Sequence, residues 1–145
     1  MKEAYDIPMV GSVFTRNWSD PLIDDRYPRL HVEGSCVRQR FAVQLCDDGL
    51  ESLDIHDGDY LVFAQAGWPT TEEAVCFVQQ GDEAIVRVMQ GIYYSEPTLT
   101  TTDDRYADII LHRNQFIVNG QLVGVIRRKE ADWVQETSGE EFWGC

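Results

Sequence analysis

Short alternating or continuous apolar stretches separated by turn residues recur along this chain, which predicts strands joined by tight turns. Phe41, Val43 and Leu45 are separated by Ala42 and Gln44, and Tyr60 to Phe63 form an apolar run of β-forming residues. The polar connection between them closes on Asp57-Gly58-Asp59. There Gly supplies a positive φ, and Asp side chains bond nearby backbone N–H groups. A second hairpin follows the loop Ala66-Gly67-Trp68-Pro69: a strand over 74–79, a turn at Gln80-Gly81-Asp82 and a returning strand over 83–89. Short strands are expected at 92–94, 98–101 and 107–111, with 102–105 as a turn. The run 116–127 closes the β region, and Gly120 and Gly124 within it predict a bulge or a close backbone approach.

Upstream, residues 1–12 carry Pro8 and Gly11 and read as an extended arm. Tyr27, Leu30 and Val32 share one side of an extended piece, and Val32-Glu33-Gly34-Ser35 reads as a turn. The organisation expected is an arm over 1–20, a mainly β domain over 21–129 and an acidic tail over 130–145 that carries Trp133, Phe142 and Trp143.

Charge narrows the function. The formal net charge of −13 argues against direct nucleic-acid binding, because phosphate neutralisation needs clustered Lys and Arg. The one basic cluster, Arg127-Arg128-Lys129, runs straight into the acidic tail. No apolar run reaches the roughly 20 residues that span a bilayer, and the first residues lack the apolar core of a signal peptide, so a cytoplasmic protein is expected. The four cysteines, Cys36, Cys46, Cys76 and Cys145, form no Cys-x-x-Cys pair, and His31, His56 and His112 are scattered. No metal and no cofactor are expected; His31 with Cys36 is the nearest His–Cys pair. Asp54, Asp57 and Asp59 lack the bidentate Glu of a calcium loop.

The order strand, connection, Ile55-x-Asp57-Gly58-Asp59, strand resembles the core of the LexA/UmuD family of self-cleaving serine peptidases. The segment Ile7-Pro8-Met9-Val10-Gly11-Ser12-Val13 resembles the family's approach to its cleavage site, and Val123-Gly124-Val125-Ile126-Arg127 resembles its closing strand. The resemblance spans about residues 7–128 and implies a folded β-ribbon core. It also implies a homodimer built by the terminal region, with Phe116, Val118, Gly120, Leu122, Val123, Gly124 and Val125 as interface candidates.

In that family a Ser, followed by Met, stands about eight residues before the Asp-Gly-Asp and is the nucleophile. Here the position holds Gly49, followed by Leu50. The family's base is a Lys on the returning strand of the second hairpin, where Val86-Arg87-Val88-Met89 places Arg87. A Ser–Lys dyad needs a neutral amine, and burial can give Lys one; a guanidinium stays protonated. The two lysines, Lys2 and Lys129, both lie outside the central strands. The cleavage bond of the family, Ala-Gly or Cys-Gly, is absent after Val13, where the chain continues Phe14-Thr15-Arg16-Asn17-Trp18. Arg87 is read as a structural cation paired with Asp47 or Asp48, against two alternatives: an arginine on an exposed strand face, or one in the vestigial cleft holding an acidic ligand or peptide.

The function expected is that of a pseudo-peptidase, not an enzyme. It acts by protein–protein contact in transcriptional repression or an SOS-type stress circuit. Its partner is an active relative, a repressor or a recombinase filament. Two alternatives stand beside it. One is an altered peptidase using Cys46 or Ser52, with Asp47 or Asp48 as a carboxylate and His56 as a neighbouring imidazole. The other is an acidic sequestering or DNA-mimic regulator of phage or mobile-element type.

Overall fold

The computed structural model describes residues 4–20, 29–33 and 39–131, and the chain is mainly β. Nine strands among the described residues run as β1 (Ala4–Val13), β2 (Arg29–Glu33), β3 (Arg40–Leu45), β4 (Tyr60–Ala64), β5 (Ala74–Gln80), β6 (Glu83–Gln90), β7 (Thr98–Thr100), β8 (Ile109–Ile110) and β9 (Ile117–Ile126). They are hydrogen-bonded in the order β2-β1-β3-β4-β9-β5-β6-β7-β8, antiparallel throughout except for the parallel pair β1–β3. This is the folded β-ribbon architecture that the resemblance implied. The central hairpin is β3–β4 and the second is β5–β6, with β9 threaded between β4 and β5.

The period of two sorts the core. Along β4, Leu61 and Phe63 pack with Val43, Leu45, Phe77, Val86 and Val88, whereas Tyr60 and Val62 pack on the other face with Ile7, Met9, Leu30 and Ala42. Cys76, Val78, Ile85, Met89, Leu99, Phe116 and Val118 form a third cluster. Phe41, Phe63 and Phe77 meet ring to ring, with centroids 5.2–5.8 Å apart. Burial on both faces of β3, β4, β5 and β6 is the main stabilising term, at roughly 25 cal/mol per Å² of apolar surface removed from water.

Strand β9 carries a register shift between Val118 and Gly120 against β5 and another between Leu122 and Gly124 against β4. A Cβ on Gly120 would lie 3.0 Å from Phe41 and from Phe63, so this glycine is a close approach as well as a bulge neighbour. The arm is no loose extension, since β1 enters the sheet between β2 and β3 with Ile7, Met9 and Val13 in the core.

Four local expectations differ. Residues 92–94 form a turn, not a strand: the Glu72 carboxylate takes the N–H groups of Gly91 (2.9 Å) and Ile92 (2.7 Å), and Gly91 sits at φ 71°. The strand expected over 107–111 shrinks to Ile109–Ile110, because the Ala107 carbonyl accepts from Arg87. Its partner stops at Thr100. Val32 and Glu33 belong to β2 and pair with Tyr5 and Ala4; Gly34 and Ser35 lie outside the described residues. The side chain of His31, Cys36 and the tail beyond residue 131 also lie outside them. No helix among the described residues is long and apolar enough to cross a membrane.

Candidate functional site

The Asp-Gly-Asp turn fixes the frame. Leu45 ends β3 by donating its N–H to Asp59 O (2.9 Å) and accepting from Gly58 N (2.7 Å). Gly58 has φ 92°, and a Cβ there would meet Arg128 Cδ at 3.2 Å. The Asp59 carboxylate, 4% exposed, accepts from His56 N (2.8 Å) and from the Arg127 guanidinium. Asp59 therefore shapes the turn, while Asp57 is exposed. Between β3 and this turn the chain makes a loop through Asp47, Asp48, Gly49 and Leu50 and a 3-10 turn, Glu51–Leu53.

Gly49 and Arg87 both border one short stretch, the residues just after β1. At Val13, the end of β1, the chain leaves its place beside β3, the Val13 carbonyl accepting from Cys46 N (2.9 Å), and crosses to β6, where Phe14 O accepts from Val86 N (3.2 Å). Further on, Ser19 and Ala84 exchange two backbone hydrogen bonds. Thr15 lies in the crossing and is fully buried. A Cβ built on Gly49 would stand 1.9 Å from Thr15 Oγ1 and 3.2 Å from the Tyr106 ring. The absent side chain is thus the space that Thr15 fills.

Two buried charges hold that stretch. Asp47 is 5% exposed; its Oδ2 accepts from Thr15 N (2.8 Å) and Arg16 N (3.0 Å), and its Oδ1 from the Thr15 hydroxyl (2.6 Å) and Gly49 N (3.2 Å). Arg87 is 1% exposed, which corrects the alternative of an arginine on an open strand face. Its Nε donates to Thr15 O (2.6 Å), and its terminal nitrogens donate to Arg16 O (3.3 Å), Leu99 O (3.2 Å) and Ala107 O (2.7 Å). The expected carboxylate partner is replaced by four carbonyls. Burial pulls the guanidinium below its ordinary value, and the charges of Asp108 and Asp47 push it back. It remains a cation at any working pH.

A loop over 101–107 covers the same spot. Thr102 donates both N (2.8 Å) and Oγ1 (3.0 Å) to Gly49 O. Tyr106 OH donates to Asp48 Oδ1 (3.0 Å), and Arg105 reaches Asp48 (2.9 Å) and Asp103. Hydrogen bonds from Tyr106 and Arg105 hold the Asp48 carboxyl below its usual range.

The model of the family described as peptidase S24-like matches residues 13–123. The chain belongs to the peptidase S24-like family. No curated protein matches it. The S24-like match contains Thr15, Gly49 and Arg87, so the crossing stretch and both bordering positions lie inside the family domain.

The other expected site residues fall elsewhere. Cys46 is disulfide-bonded, which leaves it no free thiol. Ser52 is exposed on the 3-10 turn, with its N–H 3.4 Å from Thr102 Oγ1. His56 faces Asp54 (2.9 Å) and Glu51 (3.6 Å). Phe116, Val118 and Gly120 point into this chain's own core, Leu122, Gly124 and Val125 are half-buried, and Val123 is exposed. Among the described residues no three His, Cys, Asp or Glu side chains gather as a metal site.

Sequence reading missed Thr15, Thr102 and Tyr106, and it took Asp47 as a partner for Arg87 or as a carboxylate of an altered peptidase. One signal for Thr15 was present: it follows Val13 where the family's cleavage bond is expected.

Proposed function

We propose that this S24-like domain is a pseudo-peptidase that works by binding rather than cutting. The observation that carries the reading is Thr15 held between Gly49 and Arg87. By resemblance this stretch corresponds to the family's cleavage region, and three features of its surroundings speak against acyl transfer. Gly49 offers no hydroxyl. Arg87 offers no neutral nitrogen to take a proton. The N–H of Gly49, a natural donor to a developing oxyanion, is spent on the Asp47 carboxylate, whose charge opposes an oxyanion.

The circuit we propose is transcriptional or stress regulation in the cytoplasm, with a protein partner and a homodimer of the kind the LexA/UmuD resemblance implies. Exposed Ile117 and Val123 on β9 are the surfaces open to a second copy. The excess of 25 acidic over 12 basic residues favours a basic partner, with an affinity that falls as salt rises.

The test is prolonged incubation at alkaline pH followed by intact-mass measurement. The full-length mass is expected to persist, and a product cut at Thr15–Arg16 would overturn the reading. Fluorophosphonate and iodoacetamide probe the alternative nucleophiles. Ser52 is expected to stay unlabelled, and so is Cys76, whose thiol burial pushes up to about 12.

A further inference from the structure

We infer that Cys46 is cross-linked to Cys145, and that this bond is a redox-opened tether for the acidic aromatic segment after Ala131. Cys46 is disulfide-bonded and half-buried, next to Asp47 in the loop that carries Gly49. Of the other three cysteines, Cys76 is a free thiol buried among Val78, Ile85 and Met89. Cys36 and Cys145 remain as partners, and both lie outside the described residues.

Chain length excludes Cys36. The stretch from Gln39 to Cys46 is extended: Gln39 O accepts from Gln65 N (2.9 Å) at one end, and Leu45 N donates to Asp59 O (2.9 Å) at the other. Its seven steps span about 23 Å at roughly 3.3 Å each. Cys36 stands three residues before Gln39 and reaches back at most about 11 Å. About 12 Å separates the two Cα atoms even then, and a disulfide needs less than about 7 Å. The other side agrees. Glu33 is fixed opposite Ala4 at the start of β1, whereas Cys46 N bonds Val13 O at its end. Cys145 is under no such limit. Ala131 packs on the cluster of Ile7, Met9, Tyr60 and Val62, and Tyr60 pairs with Gln44, two residues before Cys46. The fourteen residues from Ala131 to Cys145 can span up to about 46 Å.

Charge makes this bond a switch. The loop beside Cys46 carries Asp47, Asp48 and Glu51, and the tethered segment carries Glu136, Glu140 and Glu141. Arg105, the cation at that rim, is already spent on Asp48 and Asp103. Like charges therefore drive the segment off once the bond opens. A dithiol reductant opens it: its thiolate attacks one sulfur, and its second thiol resolves the mixed disulfide. Two electrons and two protons pass to Cys46 and Cys145 as the reductant closes its own disulfide; glutathione disulfide reverses the step. Burial pushes the Cys76 thiol up to about 12, which keeps it out of the exchange. In the cytoplasm proposed above a disulfide acts as a sensor, so the switching role rests on that compartment and the connectivity does not.

The test oxidises full-length protein with glutathione disulfide, blocks free thiols with N-ethylmaleimide and digests with trypsin without reduction. Trypsin leaves Cys46 within 41–87, Cys36 within 30–38 and Cys145 within 130–145. The expected species joins 41–87 to 130–145, with fragmentation placing the bond on Cys46. A bond to 30–38, or no linked species, overturns the inference. Cys145→Ser is expected to lose the linked species and Cys36→Ser to keep it. A Glu-specific protease then reads the tether. Cutting after Glu140 and Glu141 should run several-fold faster in protein reduced by a thioredoxin-class dithiol, and as fast in Cys145→Ser. Equal rates in the oxidised and reduced states, or a bond that survives cytosolic glutathione ratios, overturn the switch.

Discussion

Asp47 and Asp48 are neighbours in sequence, and each is paired with an arginine system, yet the two arrangements differ in what they can do. Asp47 and Arg87 are buried and never touch; each binds the backbone of the arm from its own side. Asp48 and Arg105 touch directly at 2.9 Å with side chains 41% and 66% exposed. The exposed pair shows ideal contact and the buried pair shows none, but the buried pair fixes the fold of the cleft. Water replaces a surface ion pair at little cost, whereas a buried charge that loses its partners has nowhere to turn. In this molecule the exposed network only fastens a loop to the rim, and the buried one decides what lies in the cleft.

The largest expected effect comes from breaking the buried side. Arg87→Ala strands the carbonyls of Thr15, Arg16, Leu99 and Ala107 and leaves Asp47 without its opposing charge. A loss of about 3–5 kcal/mol is expected on urea unfolding. Arg105→Ala, its exposed counterpart, is expected to leave the unfolding midpoint unchanged. Equal losses from the two variants would erase the distinction between the pairs.

A smaller effect is expected from filling the cleft. Gly49→Ala puts a methyl 1.9 Å from Thr15 Oγ1, so the arm must move; overpacking of this kind costs about 1–3 kcal/mol. Limited trypsin digestion should cut after Arg16 faster in this variant. Gly67→Ala is the control, as nothing lies within 4 Å of its Cβ and its cutting rate should match the wild type. An unchanged rate in Gly49→Ala would mean that Thr15 does not occupy that space in solution.

The two hairpins were legible because β3 alternates with a period of two and β4 to β6 are short apolar runs of β-forming residues, and because Asp57-Gly58-Asp59 and Gln80-Gly81-Asp82 sit where turns need them. Gly49 and Arg87 were legible only by counting from the turn in the family frame. The occupant of the cleft was not. Thr15 is 32 residues from Asp47 and 72 from Arg87, and it reaches them only after β1 has entered parallel beside β3. No local pattern encodes that pairing. The partners of Arg87 were hidden for a related reason: a carboxylate, Asp47 or Asp48, was expected, and the carbonyls that make its burial tolerable come from three separate segments. At 92–94 the β-forming residues were overridden by a single distant carboxylate, Glu72.

The smallest expected effect belongs to the exposed turn, where the comparison can be sharpened by titration. His56 bonds Asp54, and this bond raises its pKa, helped by Glu51 and opposed by desolvation and by Arg127. A raised folded-state value means that the imidazolium contributes stability below its ordinary pKa of about 6.5. That contribution is lost as pH rises through the raised value. Because the pair is open to solvent, the effect on unfolding should be slight, and NMR titration of the His56 ring is the sensitive probe. The apparent pKa is expected above 6.5, drifting down with added salt. In Asp54→Asn it should fall further, since the main partner is gone while Arg127 stays in place through Asp59. A His56 titration that ignores both salt and Asp54 would mean that the turn is held by its backbone bonds alone.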